Sequence, residues 1–368
     1  MSLHQAIQRV LLIGARIHGA PAPAPPRPPA ALARLIESVA AEHRKFDERA
    51  LDFGHRYRSG FWAIYLLSAL AVLCAVLPLA LGWDSERHRL HPYAGAWAIT
   101  EVLLIGTVSA VYWLGNRGDW QGEWLRARTT AELTWYLPML APLLDFSRRA
   151  PAPTAAVETA QGAEGARGVE TARSVESTAA DMAALEPNWY LRVFDPGQHL
   201  RTADEVARIC ARIEPLAREL FSDCWANPAF VNAYSQWTIE ILEQQRHYHR
   251  TVTARQHALL HRVHSLNAWL FGLTALGALL HLVIHTLWLS LITTFFPALG
   301  ASLHGALAQS ESYRLASTSE RLNRQLAEAI ERIRATPSKA QIEAAIAVIL
   351  EEHQDWNLLV RPHHLPLA

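Results

Sequence analysis

The sequence of 368 residues is poor in lysine, cysteine and net charge, and each shortage excludes something. Lys45 and Lys339 are the only lysines, and 34 basic residues balance 34 acidic ones, so the formal net charge is zero. A neutral chain has no global field that would attract a nucleic acid, so no nucleic-acid polymer is expected as a partner. Three cysteines, an odd number without metal-ligand spacing, predict neither a disulfide framework nor a metal site.

Motifs of catalysis and cofactor binding are also missing from the sequence. It contains no P-loop, no glycine-rich dinucleotide fingerprint, no HExxH and no GxSxG. The sequence therefore predicts neither an enzyme nor a bound cofactor. His257, His261 and His264 share one helical face, but no cysteine or carboxylate completes a metal site there, and we interpret them as a polar face near lipid headgroups. No metal is expected.

Long uncharged runs carry most of the information. About 20 apolar residues cross a bilayer as a helix. Residues 61–81 contain no charge, residues 93–115 contain one, and no Asp, Glu, Lys or Arg occurs between Leu266 and Ala308. The last run is long enough for two spans with a turn near His285. The alternative, buried helices of a soluble core, is less favoured because four such runs with aromatic ends are hard to bury in one core. We expect an all-α integral membrane protein with four transmembrane helices in two hairpins and long cytoplasmic helical stalks.

Basic residues predict the orientation of the spans. They flank the predicted spans on one side only, and the short loop at 84–92 holds just Arg87 and Arg89, balanced by Asp84 and Glu86. The flanking residues include Arg44, Lys45, Arg49, Arg56 and Arg58 before the first span, and Arg246, Arg250, Arg255 and Arg262 before the third. Both termini and the middle segment are therefore expected in the cytoplasm, with the spans in a bacterial inner membrane.

Composition divides the chain into four parts, and two of them repeat one plan of long helix, span, short turn, span and long helix. Proline-rich and Ala/Thr/Glu/Gly-rich stretches mark the linkers. The parts are an N-terminal segment with a Pro-rich linker at 1–30, a first helix–two-span–helix unit at 31–146 with spans at about 61–82 and 93–115, a flexible linker at 147–185, and a second unit at 186–368 with spans at about 266–284 and 287–308. The helix after the second span is expected to continue from it as a rod to about Phe146.

Two groups of side chains are candidate functional residues. Glu101 lies about two turns inside the second span, where a carboxylate costs a few kcal/mol and must face a bundle interior, a partner or water. It is either a structural hydrogen-bonding group or a pore and gating residue, and His281, His285 and His304 are either pathway residues or interfacial. Trp124, Arg128, Glu132 and Trp135 form a stalk motif in which Arg128 and Glu132 make an i,i+4 pair. We expect the two tryptophans to lock this stalk against a neighbouring helix.

Several stretches resemble one family, the SLATT-type membrane effectors of bacterial anti-phage systems (SMODS- and SLOG-associating transmembrane effector domains). The stretch at 124–133 is similar to a W-x-x-x-R-x-x-A-E pattern after the second span, with Trp124, Arg128, Ala131 and Glu132 in its positions. Together the similar stretches touch most of 45–360 apart from the linker. They read FDERALDFGHRYRSGFWAIYLLSALAVL, AWAITEVLLI, WLRARTTAEL, LEQQRHYHRTVTARQHALLHRVHSL, FPALGASLHGALAQSESYRLASTSERLNRQL and EEHQDWNLLV.

The resemblance implies an effector that opens a pore or disrupts the inner membrane on a signal and so causes abortive infection. Its implied partners are the lipid bilayer, further copies of itself in a homo-oligomer, and either a nucleotide second messenger or a sensor protein. Members often carry a fused sensor domain, and none is evident in this sequence. The rival hypothesis is a non-conducting membrane anchor or scaffold that recruits a cytoplasmic partner; a constitutive channel or transporter is a weaker third.

Overall fold

The computed structural model describes residues 2–13, 23–83, 89, 91–144 and 200–359. Within these ranges the chain forms helices and no strand, which confirms the all-α prediction. Three 3₁₀ turns, at His91–Tyr93, Ala141–Leu143 and Cys224–Ala226, accompany the longer helices. The helices are α1 (Leu3–Leu11), α2 (Ala30–Ala80), α3 (Ala94–Arg117), α4 (Trp120–Leu140), α5 (Leu200–Phe221), α6 (Pro228–Val283), α7 (Trp288–Gln309), α8 (Ser312–Ala335) and α9 (Lys339–Leu359).

Four helical stretches of the described chain are long and apolar enough to cross a membrane, as predicted. They lie in α2, in α3, in α6 and in the stretch that begins with α7. Their most apolar windows are only 11% to 22% buried within the protein. Exposing so much apolar surface to water is unfavourable, so these four stretches need a lipid environment. We call the apolar parts of α2 and α6, together with α3 and α7, the apolar halves. Between the last two, α6 ends at Val283 and α7 begins at Trp288, which places the turn at the predicted His285.

Two of these helices are continuous with the polar segments that precede them. The polar segment that begins at Ala30 runs without a break into the first apolar run, so that α2 has 51 residues. The apolar side chains of the polar segment are buried at Leu32, Leu35, Val39 and Phe46. In the second half of the chain α6 has 56 residues and likewise joins a polar segment to an apolar one.

The predicted rod after the second span is wrong in one respect, because it is not continuous with that span. The chain breaks at Asp119, which has a left-handed backbone (φ 44°), and α4 starts one residue later. Asp119 tolerates this conformation because its short side chain bonds locally: its carboxylate accepts from the Gly122 backbone N–H at 3.2 Å and pairs with Arg126 at 2.8 Å. A second left-handed residue, Glu311 (φ 54°), separates α7 from α8 in the same way.

After each break the chain returns along the polar part of the long helix. Helix α4 runs antiparallel to α2, since Trp124 lies against Tyr57 whereas the Ala131 carbonyl accepts from His43 Nδ1 at 3.0 Å. Helix α8 runs antiparallel to α6, since Arg246 contacts Asn323 and Arg334 contacts Glu243. The polar segments share one buried core with members from α2, α4, α5, α6, α8 and α9, such as Leu32, Met139, Val206, Tyr234, Ile330 and Ile346. We call this assembly the stalk bundle.

A second core joins the stalk bundle to the apolar halves. It combines Phe61 and Trp62 of α2 with Trp124 of α4, Val263 of α6 and Leu303 of α7. The N-terminal segment at 1–30 contains α1, which packs on α2 and α6 beside this core. The predicted linker at 147–185, the loop residues 84–88 and the rod's end at Phe146 lie outside the described residues.

Candidate functional site

A cavity of about 280 Å³ lies where the stalk bundle meets the apolar halves. We call it the junction cavity. Its lining includes the last polar turn of α2 with the start of the first uncharged run, and also the break between α7 and α8. Its charged and aromatic lining residues are Tyr57, Arg58, Phe61, Trp62, Trp124, Arg128, Tyr248, Arg255 and Glu311.

Arg58 is the central charge of the junction cavity. Its guanidinium lies over the Trp124 ring, 4.9 Å from the ring centre, where a cation–π contact offsets part of the desolvation cost. Burial, together with the like charges of Arg128 and Arg255, lowers the pKa of Arg58 to about 10. The side chain remains charged at neutral pH, but its positive form is less stable than that of an exposed arginine.

The other charges around Arg58 differ in how they are balanced. Arg128 pairs with Glu132 at 2.6 Å, and Glu311 pairs with Arg314 at 3.5 Å. Arg255 donates from Nη2 to the neutral amide oxygen of Gln8 at 2.6 Å. The junction cavity therefore holds two arginines, Arg58 and Arg255, that contact an aromatic ring and an amide rather than a carboxylate.

Close packing fixes the aromatic wall beside Arg58. Tyr57 stacks on Trp124 with ring centres 5.9 Å apart, and Gln309 of α7 donates to the Tyr57 hydroxyl at 2.9 Å. Gly54 permits this approach, because a Cβ there would lie 2.9 Å from Trp124 Nε1 and 3.3 Å from Arg58 Nη2. The wall thus couples three helices, α2, α4 and α7, at one point.

Helix α1 closes one side of the junction cavity with Gln8. The helix is held by His4, which is only 3% exposed and whose Nδ1 lies 2.8 Å from the Ser2 hydroxyl and 3.4 Å from that of Ser59. Burial, and secondarily the nearby charge of Arg58, lowers the pKa of His4 from 6.5 to about 4. His4 is therefore neutral at pH 7, as its place beside two arginines requires.

The residues of the stalk motif lie on α4, which packs along α2. Trp124 is 6% exposed against Tyr57 and Arg58, and the predicted ion pair of Arg128 with Glu132 is present. Trp135 lies on the same side of α4 and contacts the His43 ring at 5.2 Å, yet it remains 39% exposed. Trp124 consequently carries most of the contact, and Trp135 covers the edge.

Glu101 is half-buried on the face of α3 that turns toward α2. This face repeats at helical spacing through Trp97, Glu101, Leu104 and Val108, while Val102 and Leu103 beside it are 67% and 64% exposed. At the outer end Trp97 lies 5.5 Å from Trp83. The carboxylate therefore lies within the helix pair rather than on its lipid-facing side.

The three candidate histidines do not form one site with Glu101. His281 lies in the last turn of α6 and His285 in the turn that follows, with ring centres 6.3 Å apart, and both are exposed. His304 lies near the opposite end of α7, 6.4 Å from the ring of His264. Among the described residues no group of His, Cys, Asp and Glu is arranged to hold a metal ion.

Sequence reasoning used Arg58 and Arg255 mainly as markers of orientation and did not locate the junction cavity. One signal was present: Arg58 is the last charge before a long uncharged run and lies one turn from Phe61. Its neighbours Arg128 and Arg255 come from α4 and α6, so their convergence depends on helix packing that the sequence does not display.

Comparison with protein-family models, with curated proteins and with solved structures finds no match for the chain.

Proposed function

We propose that this chain is a membrane effector of a bacterial anti-phage system, which opens a pore or disrupts the inner membrane when a signal reaches the stalk bundle. The signal is a nucleotide second messenger or a partner sensor. Two things support the proposal: the resemblance of the sequence to SLATT-type effectors, and the continuity of the long helices between the apolar halves and the large polar bundle. Its orientation, with both termini in the cytoplasm, follows from the basic residues around the spans.

The observation that carries the proposal is that two of the apolar helices continue unbroken into the stalk bundle, whereas the other two are interrupted before it. Helices α2 and α6 are unbroken between the stalk bundle and the apolar halves, so a displacement of one end moves the other. Helices α3 and α7 are separated from α4 and α8 by the left-handed residues Asp119 and Glu311. Two rigid helices beside two jointed ones allow the apolar halves to rearrange while the stalk bundle stays folded.

In this mechanism Glu101 lines the path that opens between α3 and its neighbours. A carboxylate at mid-membrane costs about 3 kcal/mol on insertion scales, and this cost falls when water enters. Four helices enclose little space, so the pore is formed by a homo-oligomer of closed symmetry within the lipid bilayer. The exposed faces of α3 and α6, which include Val102, Trp269 and Phe271, supply surface for lipid and for further copies.

Toxicity of matched α3 variants in bacteria tests this role of Glu101. Glu101→Ala and Val102→Ala are expressed at equal membrane levels beside the unmodified protein. Glu101→Ala should reduce toxicity without preventing membrane insertion, because it removes the polar lining, whereas Val102→Ala alters only a lipid-facing side chain. Equal toxicity of all three proteins would refute the role of Glu101.

The rival function is a non-conducting membrane anchor whose stalk bundle recruits a cytoplasmic partner. The extensive core of the stalk bundle favours this alternative, since it supports a folded domain outside the apolar region. The anchor predicts no leakage from activated membranes and full tolerance of Glu101→Ala. Leakage that depends on the chain would exclude it.

A further inference from the structure

The junction cavity holds more positive charge than its surroundings neutralise. No carboxylate of the described chain makes a salt bridge to Arg58 or Arg255, which contact the Trp124 ring and the Gln8 amide. The acidic groups nearby are engaged elsewhere, Glu132 with Arg128 and Glu311 with Arg314. Like charges held together in a partly desolvated space repel one another, and a bound anion would relieve that repulsion.

We propose that the junction cavity is a binding site for a phosphate group, held by Arg58 and Arg255. Guanidinium groups suit phosphate because their planar N–H donors match two of its oxygens at once. Ser310 and Ser312 line the same cavity, but the Ser310 hydroxyl donates to the Leu307 carbonyl and the Ser312 hydroxyl donates to Ser310 Oγ, so the two guanidinium groups supply the donors. The site draws on α2, on α6 and on the break between α7 and α8.

The cavity's size and position limit the ligand. At about 280 Å³ it is at the small end of ligand pockets, which are roughly 300–1,000 Å³, and suits a phosphate with a short substituent. Arg58 lies one turn before the uncharged run, and Phe61 and Trp62 line the cavity beside it. A phosphate can therefore arrive on an anionic phospholipid headgroup or as a soluble phosphate compound. The recognition chemistry is the same for both.

Arg58 also places the phosphate where it would affect the helix packing. Its guanidinium touches Trp124 of α4, and Trp124 stacks on Tyr57, which is bonded to Gln309 of α7. An anion on Arg58 would relieve the repulsion from Arg128 and Arg255 at a point where three helices meet, and a ligand that binds the folded protein stabilises it. Binding should therefore stabilise the folded protein, and this stabilisation is measurable whether or not the protein conducts.

The test uses the full-length protein in phosphatidylcholine nanodiscs, with thermal unfolding as the readout. One arm adds inorganic pyrophosphate, and the other replaces a fraction of the lipid with phosphatidylglycerol. We expect a concentration-dependent rise in Tm in at least one arm, and the responding arm identifies the source of the phosphate. An equal response to sodium chloride of matched ionic strength, or no response in either arm, would overturn the proposal.

Matched arginine variants locate the binding. Arg58→Gln and Arg255→Gln should each weaken it about tenfold or more, because each removes a charge-assisted bond. Arg56→Gln is the control, since Arg56 is exposed on the same helix and pairs with Asp52 at 2.8 Å. If Arg58→Gln does not fold, the site is tested by comparing the phosphate-dependent rise in Tm of Arg255→Gln with that of Arg56→Gln. An equal loss in the Arg56 and Arg255 variants would contradict the site. Because no leakage is measured, failure here leaves the proposed pore function untouched.

Discussion

Gly305 of α7 lies close to Tyr65 of α2, and a larger residue at this position should force the two helices apart. A Cβ at Gly305 of α7 would lie 2.5 Å from Cε1 and 2.9 Å from Cζ of Tyr65 on α2. Ordinary carbon contacts are about 3.5–4.0 Å, so the Tyr65 ring or the whole helix must move by about 1 Å. The ring is rigid, and α2 is held along its length by α3 and α4.

The size of the effect follows from two opposing contributions. Alanine is favoured over glycine inside a helix by about 1 kcal/mol in water. Overpacking a tight contact costs about 1–3 kcal/mol, and the required shift is large, so Gly305→Ala should be net destabilising. Gly272 is the matched control, because it lies inside the apolar part of α6 and has no atom within 4 Å of its Cβ position. Gly272→Ala should be neutral or slightly stabilising.

Thermal unfolding in one detergent, followed by tryptophan fluorescence, compares these variants. Gly305→Ala should melt several degrees below Gly272→Ala. Removing the ring should remove the penalty, so Gly305→Ala should have little further effect in a Tyr65→Ala background. The reasoning fails if the two glycine variants melt together, or if the penalty persists without the Tyr65 ring, since the contact between α2 and α7 would then not be the cause.

Two further predictions concern the stalk bundle and α1. Trp124→Ala should lower the free energy of unfolding by about 3–5 kcal/mol, as expected for a buried tryptophan, while Trp135→Ala should cost much less because its ring is 39% exposed; chemical denaturation of both variants checks this, and equal losses would contradict it. The lowered pKa of His4 means that free α1 binds a proton more readily than docked α1, so docking is strongest above pH 6.5 and weakens as the pH falls from 6.5 to about 4. Hydrogen exchange of residues 2–13 should accelerate over that range. In the His4→Phe variant, the exchange rate of these residues should not depend on pH once it is corrected for the intrinsic pH dependence of amide exchange. If the pH dependence persists in this variant, another group causes it.

The apolar helices could be predicted from the sequence because their signal is local. An uncharged run such as 61–81 has few other physical solutions, and the turn at His285 follows from dividing a run too long for one span. The apolar stripe of α2 was predictable for the same reason, since Leu32, Leu35 and Val39 repeat at helical spacing. The division into two similar units stays a prediction.

The breaks at Asp119 and Glu311 were not predicted, because sequence rules favour glycine for a left-handed backbone. Gly118 sits beside Asp119 and is the residue that sequence rules favour for that conformation, yet its φ is −83°. Helix α1 was missed because nine residues with Arg9 among them carry a weak pattern, and its position depends on contacts of His4 and Gln8 with distant helices. The junction cavity depends on the same long-range packing.

Membrane potential and dye entry in bacteria that express this chain with its genomic neighbours, followed through phage infection, test the central claim most directly. The account predicts depolarisation that follows infection, reaches its maximum before lysis, and weakens in Glu101→Ala at equal membrane level. An intact potential through infection, with the protein present in the membrane, would contradict a pore-forming effector and favour the anchor.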